Sequence, residues 1–253
     1  METLDGKVAL VTGAGQGVGR GIALALAARG ACVAVVGRTL EKCERTVAEI
    51  AAAGGTAIAF ACDVAKRTEV EATVAATVDE FGTVHILVNN AHTSRPLTPI
   101  IEVTDKDMHI AMKGTNGALL FMQACYPHLV QAGRHGRVIN LGSVSGTRGD
   151  EGFAAYAMSK EAIRALTRVA AREWGLQGIT VNVVCPFSES PGYEWMSEND
   201  PQFAQSLTDG TALHRIGSSE NEVGATVAFL ASQAGGYITG QTINVDGGMW
   251  IAP

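Results

Sequence analysis

Tyr156 and Lys160 stand four residues apart in a stretch, Ala154 to Leu176, whose periodicity predicts a helix. Positions i and i+4 share one helical face, so both side chains point toward the same cleft. A free phenol titrates near ~10, too high for ready proton exchange at neutrality, and a nearby ammonium favours the phenolate and lowers that value. The pair therefore reads as a general acid tuned by a cation. Ser143, thirteen residues before Tyr156 at the end of a predicted strand, is placed to donate a hydrogen bond to a carbonyl oxygen. Hydride delivery to a ketone leaves an alkoxide that needs a proton and charge stabilisation, and these three residues offer both. A serine-hydrolase reading of Ser143 fails on context. The run from Leu141 to Gly146 lacks the G-x-S-x-G elbow, and no ordered acid and histidine follow it.

A second group of residues suits an anion. Thr12-Gly13-Ala14-Gly15-Gln16-Gly17-Val18-Gly19 follows the first predicted strand and opens the first predicted helix. Glycines there permit a tight turn and close approach of backbone N–H groups to a pyrophosphate, and the helix N-terminus adds favourable potential. The three residues between Gly13 and Gly17 depart from a plain G-x-G-x-x-G, and the absence of a Lys-Ser/Thr ending argues against a nucleoside-triphosphate loop.

Both groups need a scaffold with strand ends on one side. β-branched runs alternate with alanine-rich amphipathic segments along the chain, the pattern of βα units. Strands are expected at Lys7 to Thr12, Cys32 to Val36, Thr56 to Ala61, Val84 to Asn89, Arg137 to Leu141, Thr180 to Val184 and Thr242 to Val245. Helices are expected at Val18 to Arg29, Leu40 to Ala53, Arg67 to Phe81, Thr104 to Gln131, Ala154 to Leu176 and Glu220 to Ala231. The fold class expected is α/β: a doubly wound, seven-stranded parallel sheet, Rossmann-like, as a single domain over residues 1–253. Residues 186–210, rich in Pro, Ser, Glu, Asn and Asp, are too long for an ordinary connection and read as either a functional lid or a short helical insertion.

Composition removes several function classes. Thirty glycines are about 12% of 253 residues against a usual ~7%, yet no Gly-X-Y period exists, so a collagen-like chain is excluded. An apolar content of 47% with a net charge of -6 argues for a buried core. The acidic balance and the lack of basic clusters argue against nucleic-acid binding. No apolar stretch approaches a membrane span. The start Met-Glu-Thr-Leu-Asp does not resemble a secretory signal, so the expected location is cytoplasmic. Five cysteines without a C-x-x-C pair read as small buried hydrophobes, and the scattered histidines lack the H-E-x-x-H spacing, so no metal site is expected.

Together these motifs resemble the short-chain dehydrogenase/reductase family, whose loop reads T-G-x-x-x-G-x-G. Asp63-Val64 follows the third strand, Asn89-Asn90-Ala91 ends the fourth, Ser143 follows the fifth, Tyr156-Ala-Met-Ser-Lys160 opens a helix, and Ile238 to Gly248 looks like the closing strand. The resemblance covers essentially the whole chain. It implies an NAD(P)-dependent oxidoreductase acting on a ketone or secondary alcohol, with Ser143, Tyr156 and Lys160 as catalytic residues and Lys160 also on the nicotinamide ribose. It implies dinucleotide contacts from Gly13, Gln16, Gly17, Val18, Gly19, Arg38, Asp63, Val64, Asn90, Ala91, Tyr156, Lys160, Pro186, Phe187 and Glu189. It also implies a homotetramer or dimer. Three residues between tyrosine and lysine, rather than the six usual in the enoyl-reductase branch, favour carbonyl or alcohol chemistry.

Several positions depart from the family pattern. NAD-preferring members carry an acidic residue after the second strand, whereas this chain has Gly37 and then Arg38, which suits a 2′-phosphate. NADP(H) is expected over NAD(H), although Gln16 brings no second cation. The family's helix asparagine is replaced by Gly114. Asn116 lies about 200° further round the helix and points elsewhere. The loss implies either a water bound at the Gly114 backbone or slower turnover, the latter fitting a dinucleotide-binding protein with weak or vestigial activity in a regulatory role. His92 replaces a glycine and reads as a tolerated loop residue, a group titrating near neutrality, or a substrate contact. Phe187 is expected in an apolar pocket wall, and residues 187–213, with Tyr193, Trp195, Met196 and Phe203, as a substrate lid or as self-packing aromatics.

Overall fold

The computed structural model describes residues 3–93 and 97–251; Met1 and Glu2 of the N-terminal Met-Glu-Thr-Leu-Asp run lie outside them. The β-branched runs form β1 (Val8–Thr12), β2 (Cys32–Gly37), β3 (Thr56–Ala61), β4 (Ile86–Asn89), β5 (Arg137–Leu141), β6 (Thr180–Pro186) and β7 (Thr242–Val245). All pair in parallel in one seven-stranded sheet, ordered β3-β2-β1-β4-β5-β6-β7. The order reverses between β1 and β4, and a crevice opens at such a switch point.

The helices are α1 (Gly17–Ala27), α2 (Leu40–Ala52), α3 (Arg67–Phe81), α4 (Asp105–Ala132), α5 (Val144–Arg148), α6 (Ala154–Trp174), α7 (Pro191–Asn199), α8 (Pro201–Asp209) and α9 (Ala225–Ala231). Alternate strand residues face opposite sides. Ala9 and Val11 pack with Ile22, Leu26 and Val227 on one face, while Leu10 packs with Phe121, Met122 and Leu129 on the other. Covering both faces buries every residue of β1, which explains its continuous apolar run. No helix of the described residues is long and apolar enough to cross a membrane.

Several boundaries differ from the sequence expectation for local reasons. β4 starts at Ile86 rather than Val84, because the His85 ring takes part: the Val8 N–H donates to His85 Nδ1 at 3.1 Å. The 186–210 stretch resolves as a helical insertion. Ser190 and Asp200 each cap a helix whose first residue is proline, accepting from the Tyr193 and Phe203 N–H groups. The helix expected from Glu220 begins with a π-helical turn, Ser219–Gly224, before α9. That turn lies against α1, where a Cβ on Gly21 would sit 2.5 Å from the Ser219 carbonyl carbon.

Candidate functional site

The glycine loop is locked to the end of β4 by hydrogen bonds. Thr12 Oγ1 accepts from the Asn90 and Ala91 N–H groups at 3.0 Å each. Asn90 Nδ2 donates to the Thr12 and Gly13 carbonyls at 2.9 and 3.1 Å. Asn90 thus holds the loop in shape. Gly17 has φ +54, which L side chains rarely adopt, and any side chain on Gly19 would run into the Gly13 carbonyl and the Asn90 amide. The eleven-residue α1 starts here with no acidic side chain in its first turn, so its positive end is left open to an anion.

Around this loop lies a cleft of about 370 Å³ lined by Gly13, Gln16, Gly17, Val18, Gly19, Arg38, Asp63, Val64, Asn90 and Ala91, ten of the residues named from sequence. A glycine cradle that any Cβ would fill, beside a helix N-terminus, fits a pyrophosphate. Pro186, Phe187 and Glu189 do not line the cleft. Glu189 is exposed and held by its backbone, which bonds Gly217 and Ser219. Phe187 instead meets the Tyr193 ring edge-to-face at 5.9 Å. The next residues along, Ser190 and Pro191 at the start of α7, take those wall positions.

Lys42 was not singled out from sequence, yet it lines the cleft with Arg38 and donates to Gln16 Oε1 at 2.5 Å. It lies in the first turn of α2, just beyond Arg38, and sequence spacing carried no signal that the two share the cleft wall. A Cβ on Gly37 would sit 2.8 Å from Cys43 Sγ, so packing against α2 disfavours an acidic side chain there.

Next to this cleft, beyond His92, stand the three candidate catalytic residues. Ser143 is the N-cap of α5, a helix not foreseen from sequence, and its Oγ accepts from the Ser145 N–H at 3.2 Å. Its carbonyl is gripped by the buried Arg164 guanidinium, which also bonds Glu161 at 2.7 Å. α6 carries Tyr156 and, one turn on, Lys160, whose Nζ lies 5.6 Å from the Tyr156 ring centroid and donates to the Leu141 carbonyl at 2.9 Å. Burial pushes Lys160 down to about 8. Burial also raises Tyr156, and the neighbouring Ser143 hydroxyl pulls it partly back. The phenol lowered by Lys160 that the spacing suggested is therefore not found: burial is the largest influence and raises it, while the ammonium's hydrogen bond goes to Leu141.

Gly114 lies buried on α4, while Asn116 is exposed, as the helix geometry required. His92, beside Gly114, meets the Tyr156 ring edge-to-face at 5.0 Å. It does not titrate near neutrality, because burial and the Lys160 charge push it down to about 2. In the 187–213 segment, Tyr193 Oη bonds Thr208 Oγ1 at 2.8 Å and so ties α7 to α8, whereas Trp195 is 55% exposed.

Residues 13–250 match a family model described as enoyl-(acyl carrier protein) reductase. The short-chain reductase protein NovJ of Streptomyces niveus is 39% identical over 248 residues, covering 96% of this chain and 93% of that protein. A 12α-hydroxysteroid dehydrogenase of a Clostridium species is 34% identical, with both chains covered completely. Among solved structures, a short-chain dehydrogenase from Burkholderia cenocepacia in complex with NADP superimposes with a TM-score of 0.89 at 35% identity, covering 98% of this chain and 99% of that one.

Proposed function

Because this chain belongs to the short-chain dehydrogenase/reductase family, we propose that it transfers a hydride between NADP(H) and a ketone or secondary alcohol. The observation that carries this reading is the buried Lys160 ammonium 5.6 Å from the Tyr156 ring, on the helix beside Ser143 at the end of β5. The bound dinucleotide supplies or accepts the hydride. Ser143 donates to the substrate oxygen, and Tyr156 passes its phenolic proton to that oxygen during reduction and takes it back during oxidation. Lys160 keeps positive potential beside the phenol and holds the nicotinamide ribose. Although the matching model is described as an enoyl reductase, three residues between Tyr156 and Lys160 support carbonyl chemistry.

Arg38 and Lys42 support NADP(H): two cations on one wall, beside the N-terminus of α2, suit a 2′-phosphate. The substrate is a large apolar carbonyl compound. Exposed Leu97 lies against Gly152 on the loop before Tyr156, and Phe187, after β6, with Tyr193 of α7 adds apolar surface. On this reading residues 187–213 form a substrate lid on a single catalytic domain spanning 1–253. Exposed Leu119 and Val130 on α4, with Met158 and Val169 on α6, support a homo-oligomer, dimer or tetramer. Five free thiols support a reducing compartment, the cytoplasm.

The test is NADPH consumption over alicyclic ketones, steroid ketones and acyl thioesters with wild type and Tyr156→Phe. Loss of roughly 10²–10⁴-fold in kcat with NADPH binding retained is expected. Equal turnover by the variant refutes the assignment. A second reading, a dinucleotide-binding protein with vestigial turnover in a regulatory role, draws on Gly114; it predicts no turnover by wild type across the same panel.

A further inference from the structure

His92 and Gly114 depart from the family pattern at one place. A Cβ on Gly114 would lie 2.8 Å from the Ala91 carbonyl oxygen and 2.9 Å from His92 Nδ1. The imidazole and the Ala91 carbonyl thus occupy space that a side chain at 114 would need. His92 Nε2 is buried without a hydrogen-bond partner among the described residues. A buried polar atom left unpaired is unfavourable, and in a native site it calls for a partner gained on binding or during turnover.

Chemistry narrows that partner. The ring is neutral near pH 7, since it is pushed down to about 2, so one nitrogen carries a proton and the other accepts. Lys160 is near enough for its charge to be one cause of that depression. An ammonium has three donors, and among the described residues Lys160 directs a hydrogen bond only to Leu141. The other titratable groups facing Lys160 are Tyr156 and Cys185 of β6, whose thiol burial pushes up to about 11, so it is uncharged at neutrality.

We propose that His92 is a positioning residue for the Tyr156–Lys160 pair: in the space left by Gly114, its neutral imidazole accepts through Nε2 a hydrogen bond from the Lys160 ammonium, directly or across one water. The proton sits on Nδ1. When Tyr156 gives its proton to the substrate oxygen, it regains one from the Lys160 side. Solvent replaces the proton drawn from Lys160, and His92 stays neutral throughout. The acceptor stabilises the ammonium and aims it at the phenol.

This inference rests on the proposed function, so one readout is independent of turnover. The Lys160 side chain is titrated by NMR in the cofactor-free full chain for wild type, His92→Phe and His92→Gln. Phenylalanine keeps an aromatic ring against Tyr156 but removes the acceptor, whereas glutamine supplies an acceptor near Nε2. Phenylalanine should shift the Lys160 titration downward by roughly 0.5–1 pH unit, and glutamine should leave it near wild type. With NADPH and a ketone that wild type reduces, His92→Phe should lower kcat roughly tenfold with KM within about twofold, and glutamine should restore kcat. A Lys160 titration unmoved by His92→Phe overturns the proposal, whatever the turnover. Should phenylalanine fail to fold, the smaller His92→Ala takes its place: a downward shift supports the contact and an unmoved titration overturns it. Full activity in Tyr156→Phe would instead refute the underlying reading and leave the Lys160 titration as the measure of this contact.

Discussion

Replacing Lys160 by methionine should stabilise the fold while ending turnover. The lysine is 6% exposed, and burial holds its ammonium at about 8 against an ordinary 10.5. That difference corresponds to about 3 kcal/mol by which the fold disfavours the charge. Losing the bond to the Leu141 carbonyl gives back about 1 kcal/mol, which leaves a net gain of about 2 kcal/mol for a side chain of similar length. For a chain of this size that gain is a rise of roughly 4–8 °C in Tm. The pH dependence has a definite sign. A folded-state value below the unfolded one contributes stability that is present above 10.5 and lost as pH falls through about 8. Wild type therefore bears the full cost at neutrality, and between about 8 and 10.5 the advantage of Lys160→Met should fall through zero, because the neutral amine keeps its bond to Leu141. Urea midpoints and thermal transitions of both cofactor-free proteins over that interval provide the assay. A variant no more stable than wild type at neutral pH, or an advantage that does not change with pH, would refute the reasoning.

Arg38→Ala should lower kcat/KM for NADPH by about 10- to 100-fold while leaving the value for NADH nearly unchanged, and Lys42→Ala should act in the same direction; steady-state kinetics with both cofactors provide the comparison. Gly19→Ala drives a methyl group into the Gly13 carbonyl and the Asn90 amide. It should cost about 1–3 kcal/mol by urea denaturation and abolish dinucleotide binding by titration calorimetry. His92 is held neutral, its value falling from 6.5 to about 2, so it contributes stability that is present above 6.5 and lost as pH falls toward 2. His92→Gln should flatten the acid limb of the stability curve, and an unchanged limb would show that the ring is not buried in solution.

The architecture was legible in the sequence because parallel strands covered on both faces must be apolar without interruption. Val8–Thr12 therefore announces itself, as does the loop whose glycines admit backbone where no Cβ fits. Tyrosine and lysine could be paired from spacing alone, since four residues on a helix fix a shared face. Spacing says nothing about residues brought together from distant elements. Lys42 joins Arg38 in the cleft wall and bonds Gln16, twenty-six positions away, because α2 starts against the glycine loop. The Ser143 carbonyl is fixed by Arg164 from α6. A side chain at 114 would crowd the Ala91 carbonyl and the ring of His92, both from the loop after β4.

Protonation states belong to the same category. Sequence determined that a phenol and an ammonium would share a face, and with that the class of chemistry. Only the tertiary structure decided that both groups are desolvated, so that the phenol is raised and the ammonium lowered. Local spacing is set by covalent geometry and helix pitch, which every residue carries with it. Burial and long-range contact depend on which surfaces meet when the chain closes, and those are properties of the folded whole.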